Sequence, residues 1–219
     1  MSEPNPATLP PEAFRRYDES PDEAFYQTPR FVTHIDDGAI AAVTQLYREF
    51  FSEGGAILDL MSSWISHLPP EVTYREVVGL GMNRAELAAN PRLTEVIVQN
   101  LNNDPMLPFM DDRFDGAAIC VSVDYLTDPV AVLQETARVL KPGAAIVITF
   151  SNRCFPTKAV AVWHALDDNG RRQLVAYFLE AAGEWTDIQE LDRSPASRRG
   201  DPLYAVVARR TQRQSHTTE

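Results

Sequence analysis

Cysteine is scarce in this sequence: Cys120 and Cys154 are the two among 219 residues. With no metal-ligand spacing around them, they exclude a disulfide framework and a structural zinc site. Cys120 lies in an apolar run and reads as core, and Cys154 has no neighbouring base to make it a nucleophile. Basic charge is also short, with 20 Lys and Arg against 31 Asp and Glu and a formal net charge of -11. That sign argues against nucleic acid or an anionic membrane as the main partner. The small clusters Arg198-Arg199 and Arg209-Arg210 do not reverse it. No apolar run approaches membrane-spanning length. The first residues are acidic and proline-rich, without a basic region or an apolar core. They do not read as a secretory leader, so a cytoplasmic location is expected. No Walker loop, Ser-His-Asp order or G-x-G-x-x-G is present, which sets aside a nicotinamide enzyme.

What is there is an ordinary globular composition, 44% hydrophobic and 23% charged. The length suits one domain with an N-terminal extension. Residues 1–35 read as a disordered start followed by an aromatic cover segment, with Phe14, Tyr17, Phe25, Tyr26 and Phe31 among charges. Residues 36–210 form the domain proper, and 211–219 a disordered tail. A helix capped by Asp36 or Asp37 carries Ile40, Val43, Leu46, Tyr47, Phe50 and Phe51 at helical spacing, and Gly54-Gly55 ends it. Strands then alternate with helices. The strands are Ala56–Leu60, Glu76–Leu80, Glu95–Gln99, Gly116–Val123 and Ala144–Phe150. The helices are a short one over Trp64–Leu68, then Arg84–Ala89, one starting at Asp128-Pro129, Lys158–Leu166 and Arg171–Ala182. Two late strands, Trp185–Leu191 and Leu203–Arg209, close the chain. This order implies an α/β fold, Rossmann-like, with a mostly parallel sheet, helices on both faces and an antiparallel edge. Ligands on such sheets bind at the carboxyl ends of the strands.

One stretch is more specific. Leu107-Pro108-Phe109 is followed by Phe114-Asp115, then by Glu135-Thr136-Ala137-Arg138-Val139-Leu140-Lys141-Pro142-Gly143. At this spacing the chain resembles the class I S-adenosylmethionine-dependent methyltransferases of the type 11 subfamily, over roughly residues 38–209. The resemblance implies a seven-stranded sheet with an antiparallel last strand, and S-adenosylmethionine as cofactor. Much of this stretch frames the fold and carries no chemistry.

Glycine is missing where that family uses it most. After the first strand the chain reads Asp59-Leu60-Met61-Ser62-Ser63-Trp64-Ile65-Ser66-His67, with Met61, Ser63 and Ile65 at the usual glycine positions. A Cβ there hinders close approach, and any positive φ is strained. The resemblance places Asp59 against the cofactor's ammonium group and Ser62 and Ser63 against its carboxylate. The bland reading is a simple strand-to-helix connection. The ribose acid expected after the second strand is replaced by Gly81, with Met82 as an apolar wall to adenine. Asn83 supplies either one ribose hydrogen bond or a helix cap. Asn100 and Leu101 stand at the adenine position, with Asn103 and Asp104 as alternatives and turn chemistry as the competing reading. Ser122, at the end of the fourth strand, completes the cofactor set.

Substrate-facing candidates are His34, His67, Asp124, Tyr125 and Arg153. The plain alternative for each histidine is a capping or packing role, while His164 reads as packing and His216 lies in the tail. No catalytic base stands out. Two functions remain: a methyltransferase acting on a small molecule, or a non-catalytic protein of that fold serving as a binding or regulatory partner.

Overall fold

The computed structural model describes residues 9–196 and 200–212. The start at 1–8, the Arg198-Arg199 pair and His216 lie outside the described residues. The sheet has seven strands: β1 Ala56–Leu60, β2 Glu76–Gly81, β3 Glu95–Val98, β4 Phe114–Cys120, β5 Leu140–Phe150, β6 Trp185–Asp192 and β7 Tyr204–Arg210. Their order is β3-β2-β1-β4-β5-β7-β6. β1 to β5 pair in parallel, and β7 runs antiparallel between β5 and β6. The expected Rossmann-like sheet is therefore present.

The helices are α1 Asp22–Phe25, α2 Asp37–Phe50, α3 Arg84–Ala89, α4 Pro129–Val139, α5 Ala161–Ala165 and α6 Asp168–Ala182. Alternate strand residues feed opposite faces. Ile57 and Ala118 pack with Val43, Leu46 and Tyr47 of α2. Leu58, Leu60 and Ile119 pack with Leu133 and Val175 on the α4 and α6 side. Asp36 caps α2 by accepting from Ala39 N at 2.9 Å, and Asp128 caps α4 by accepting from Ala131 N at 3.1 Å.

Several boundaries differ from the sequence reading. α2 ends at Phe50, before Gly54-Gly55, because Phe51 turns into extended backbone and buries its ring. β4 starts two residues earlier than expected, at Phe114, and ends at Cys120. Leu140 already belongs to β5, where it pairs with Phe114. No helix covers Trp64–Leu68, where Met61 and His67 take left-handed backbone, φ 55° and 53°. Within the described residues, the cover has a 3-10 turn over Pro11–Phe14 and packs Leu9 against the core. Among the described residues, no helix is long and apolar enough to cross a membrane, and no His, Cys, Asp or Glu group could hold a metal ion.

Candidate active site

The strand order reverses between β1 and β4, and a cavity of about 310 Å³ opens at the carboxyl ends there. Asp59, paired in register with Ala118 of β4, lies in its wall. Asp59 is 4% exposed, and burial pushes its carboxyl up to about 6. Its Oδ2 accepts two hydroxyl hydrogen bonds, from Ser62 and Ser66, each 2.6 Å. Asn90 Nδ2 in turn donates to Ser66 Oγ at 2.8 Å and to the carbonyl of Ser63 at 2.9 Å. The loop thus satisfies itself through side chains, and this network replaces the expected helix.

The glycine-free turn keeps a glycine's backbone. Met61 is left-handed, at a cost of roughly 1–2 kcal/mol. Val121, just past β4, is left-handed too, with φ 46°. Met61, His67 and Val121 all line the cavity, and strain of this kind gathers at functional sites. Ser62 packs over one side of Gly81, which also lines the cavity. A Cβ on Gly81 would lie 2.2 Å from the Ser62 carbonyl oxygen, because Ser62 N donates to Leu80 O and folds the turn across β2.

The cover closes the other side. Asn83 caps α3, its Oδ1 accepting from Ala85 N and Glu86 N. Its Nδ2 donates to the carbonyls of Tyr26 and Gln27 in the cover. Asn100 and Asn103 both donate to Glu23, while Asn102 donates to Asp22. Glu86 accepts from Arg30 N at 2.7 Å through one oxygen and from Ser63 Oγ at 2.6 Å through the other. Lys158, fully buried, meets Asp22 at 3.1 Å and the Ser20 carbonyl at 2.7 Å. The amides that the sequence pointed toward ribose and adenine hold the cover by their N–H groups. Likewise, Ser62 and Ser63 spend their hydroxyl protons on Asp59 and Glu86 and have none left for a carboxylate.

Most of the residues assigned from the sequence to cofactor or substrate meet around this one cavity: Asp59, Met61, Ser62, Ser63, Gly81, Met82, Asn83, Asn100, Leu101 and Ser122, with His34, His67, Tyr125 and Arg153. Asn103, Asp104 and Asp124 do not line it. Asp124 is buried, and burial pushes its carboxyl up to about 7. Tyr125 uses its hydroxyl to accept from Phe155 N at 2.8 Å. Arg153 pairs with Asp201 at 2.8 Å. His34 packs edge-on to Phe155, with ring centroids 5.2 Å apart, and burial lowers its pKa, with Glu86 opposing the shift. Burial also lowers the pKa of His67, and among the described residues neither its Nδ1 nor Ser122 Oγ has a hydrogen-bond partner. The sequence reading missed Tyr26, Arg30, Glu86 and Asn102 in the wall. Glu86 stands three residues after Asn83 in the first turn of α3, which was the available signal for it.

Residues 60–148 match the family model described as a methyltransferase domain. This match agrees with the resemblance to the type 11 methyltransferases that the sequence motifs carry. Over 75 residues it is 37% identical to the demethylmenaquinone methyltransferase of Staphylococcus saprophyticus, a stretch covering 33% of this chain and 32% of that protein. The chain spans about a third or less of the length of the curated relatives it matches. The crystal structure of the cyclase SpnF superposes with a TM-score of 0.60 at 15% identity, covering 87% of this chain and 92% of that one. An S-adenosylmethionine-dependent methyltransferase from Mesorhizobium loti gives 0.55 at 17% identity, covering 77% and 98%. At these identities the likeness is one of fold.

The cavity suits S-adenosylmethionine at its amino-acid end, where a buried carboxylate matches an ammonium ion and a raised pKa falls back when the cation arrives. Met82 and Leu101 give an apolar wall of the kind an adenine ring needs. At the ribose the fit differs from a strand-end acid, since Ser62 covers Gly81.

Proposed function

We propose that this protein is an S-adenosylmethionine-dependent methyltransferase of a small molecule. The observation that supports it best is Asp59, buried at the carboxyl end of β1, preorganised by Ser62 and Ser66, and facing a cavity at the strand-order reversal. When bound, the cofactor supplies an electrophilic methyl group. The protein's residues hold and align the reactants and exclude water. Asp59 takes the ammonium group, Met82 and Leu101 flank the adenine, and Ser122 offers a hydroxyl. His34 is held neutral at pH 7 by burial, so its ring can accept a proton from a hydroxyl or amine acceptor. Arg153, 65% exposed at the rim, suits an acidic group on the substrate. The relatives named demethylmenaquinone methyltransferases and the aromatic wall of Tyr26, Tyr125 and Phe155 favour a ring-bearing acceptor. A cytoplasmic setting accords with the acidic composition.

A second reading, a non-catalytic member of this fold, draws on the amides of Asn83, Asn100 and Asn102, which are spent on the cover. Calorimetric titration with S-adenosylmethionine and S-adenosylhomocysteine separates the two. Saturable binding in the micromolar range supports the enzyme. No heat at high micromolar ligand overturns it.

A further inference from the structure

The hydroxyls expected to meet a ligand carboxylate are committed elsewhere, yet one strong donor in the cavity wall is not. Arg30 comes from the cover. Its guanidinium carbon stands 4.6 Å from the ring centroid of Phe25, 5.3 Å from that of Phe155 and 5.8 Å from that of Tyr26. Nη2 donates to the carbonyl of Phe25 at 2.9 Å. Nη1 is buried and has no hydrogen-bond partner among the described residues. A charged donor left unmatched inside a protein is costly, and an anion arriving there would restore its missing bond. The aromatic faces fix the guanidinium in place by cation–π attraction, so little ordering remains to be done when an anion binds.

The neighbours say which anion. Arg30 N is bonded to Glu86, Glu86 to Ser63, and the adjoining Ser62 to Asp59. The one continuous network therefore presents a carboxylate at one end and an unmatched guanidinium at the other. That charge pattern complements a zwitterion, an amino-acid head with its ammonium on Asp59 and its carboxylate on Arg30. The other candidate cation of the wall, Arg153, already pairs with Asp201.

We propose that Arg30 binds the carboxylate of the cofactor's amino-acid end, taking over from the cover the role that the serines of the β1 loop cannot fill. The inference rests on the methyltransferase reading and is tested apart from it. Two ligands are titrated calorimetrically: S-adenosylhomocysteine, which carries the amino-acid head, and 5′-methylthioadenosine, which lacks it. Arg30→Ala should weaken S-adenosylhomocysteine by about ten- to hundredfold and leave 5′-methylthioadenosine within about twofold. Arg30→Lys, which keeps the charge and loses the fork, should give a smaller loss for the first ligand alone. Asn83→Ala, which loosens the cover without touching the guanidinium, should affect both ligands alike. If Arg30→Ala and Arg30→Lys weaken both ligands equally, or neither, the inference is overturned while the cofactor reading stands. If the wild-type protein binds neither ligand, both fall together.

Discussion

The motif pieces Leu107–Phe109 and Glu135–Gly143 and the loop from Asp59 to His67 do different work, although Ser122 and Tyr125, which lie between those pieces, reach the cavity. In the first, Arg138 donates to the carbonyls of Leu107 and Phe109, each at 2.9 Å, and pairs with Asp111 and Glu135. Glu135 accepts from Leu107 N at 2.9 Å. These residues bind one another, and none of them lines the cavity. In the second, nearly every side chain meets the cavity or holds one that does. The familiar motif is a frame, and the unfamiliar one is the site. A family resemblance carried by a frame says how the chain folds and leaves the chemistry to residues that have changed.

The difference can be broken from either side. Arg138→Ala removes charge-assisted bonds from the frame and should lower unfolding stability by about 3 kcal/mol in urea melts, with S-adenosylhomocysteine affinity of the folded protein unchanged. Gly81→Ala attacks the site, since the new Cβ meets the Ser62 carbonyl. A loss of about 2 kcal/mol is expected, this time with weakened ligand binding. Equal effects of the two variants on binding would erase the distinction drawn here.

The pH response sharpens it further. Asp59 titrates at about 6 in the folded protein, above the usual carboxyl range. Between about pH 4 and 6 the folded state keeps a proton that the unfolded chain has lost. The Asp59 contribution to stability therefore falls as pH rises through that window. Asp59→Asn should remove this slope and gain about 1–2 kcal/mol above pH 6, as urea melts across pH would show. Ligand affinity of the wild type should move the other way, falling about tenfold per pH unit below 6 as the carboxylate is lost. Met61→Gly should change least, under about 1 kcal/mol, because relief of the left-handed strain is offset by lost packing and by glycine's backbone entropy.

β1 was legible because its apolar run is buried throughout between β2 and β4, and α3 because Asn83 caps it. Asp36 and Asp128 announced their caps for a similarly local reason. No helix forms over Trp64–Leu68 because Asp59 and Asn90, both outside that window, draw Ser66 into another network. The candidate ligand residues could be gathered from strand ends alone, since topology brings strand ends together. What their polar atoms do could not. Asn83 and Asn100 look free in the sequence, and only the folded-back cover, more than fifty residues earlier, takes their N–H groups. Arg30 was invisible for the same reason, since it matters through partners far along the chain, while Glu86 had only its place in the first turn after Asn83 to mark it.

The central claim is that a loop without glycines still holds the cofactor, through Asp59. Titrating S-adenosylhomocysteine into the wild-type protein and Asp59→Ala at pH 7.5 tests it most directly. Saturable binding by the wild type and at least a tenfold loss in the variant are predicted. Equal affinity in the two proteins would contradict the account.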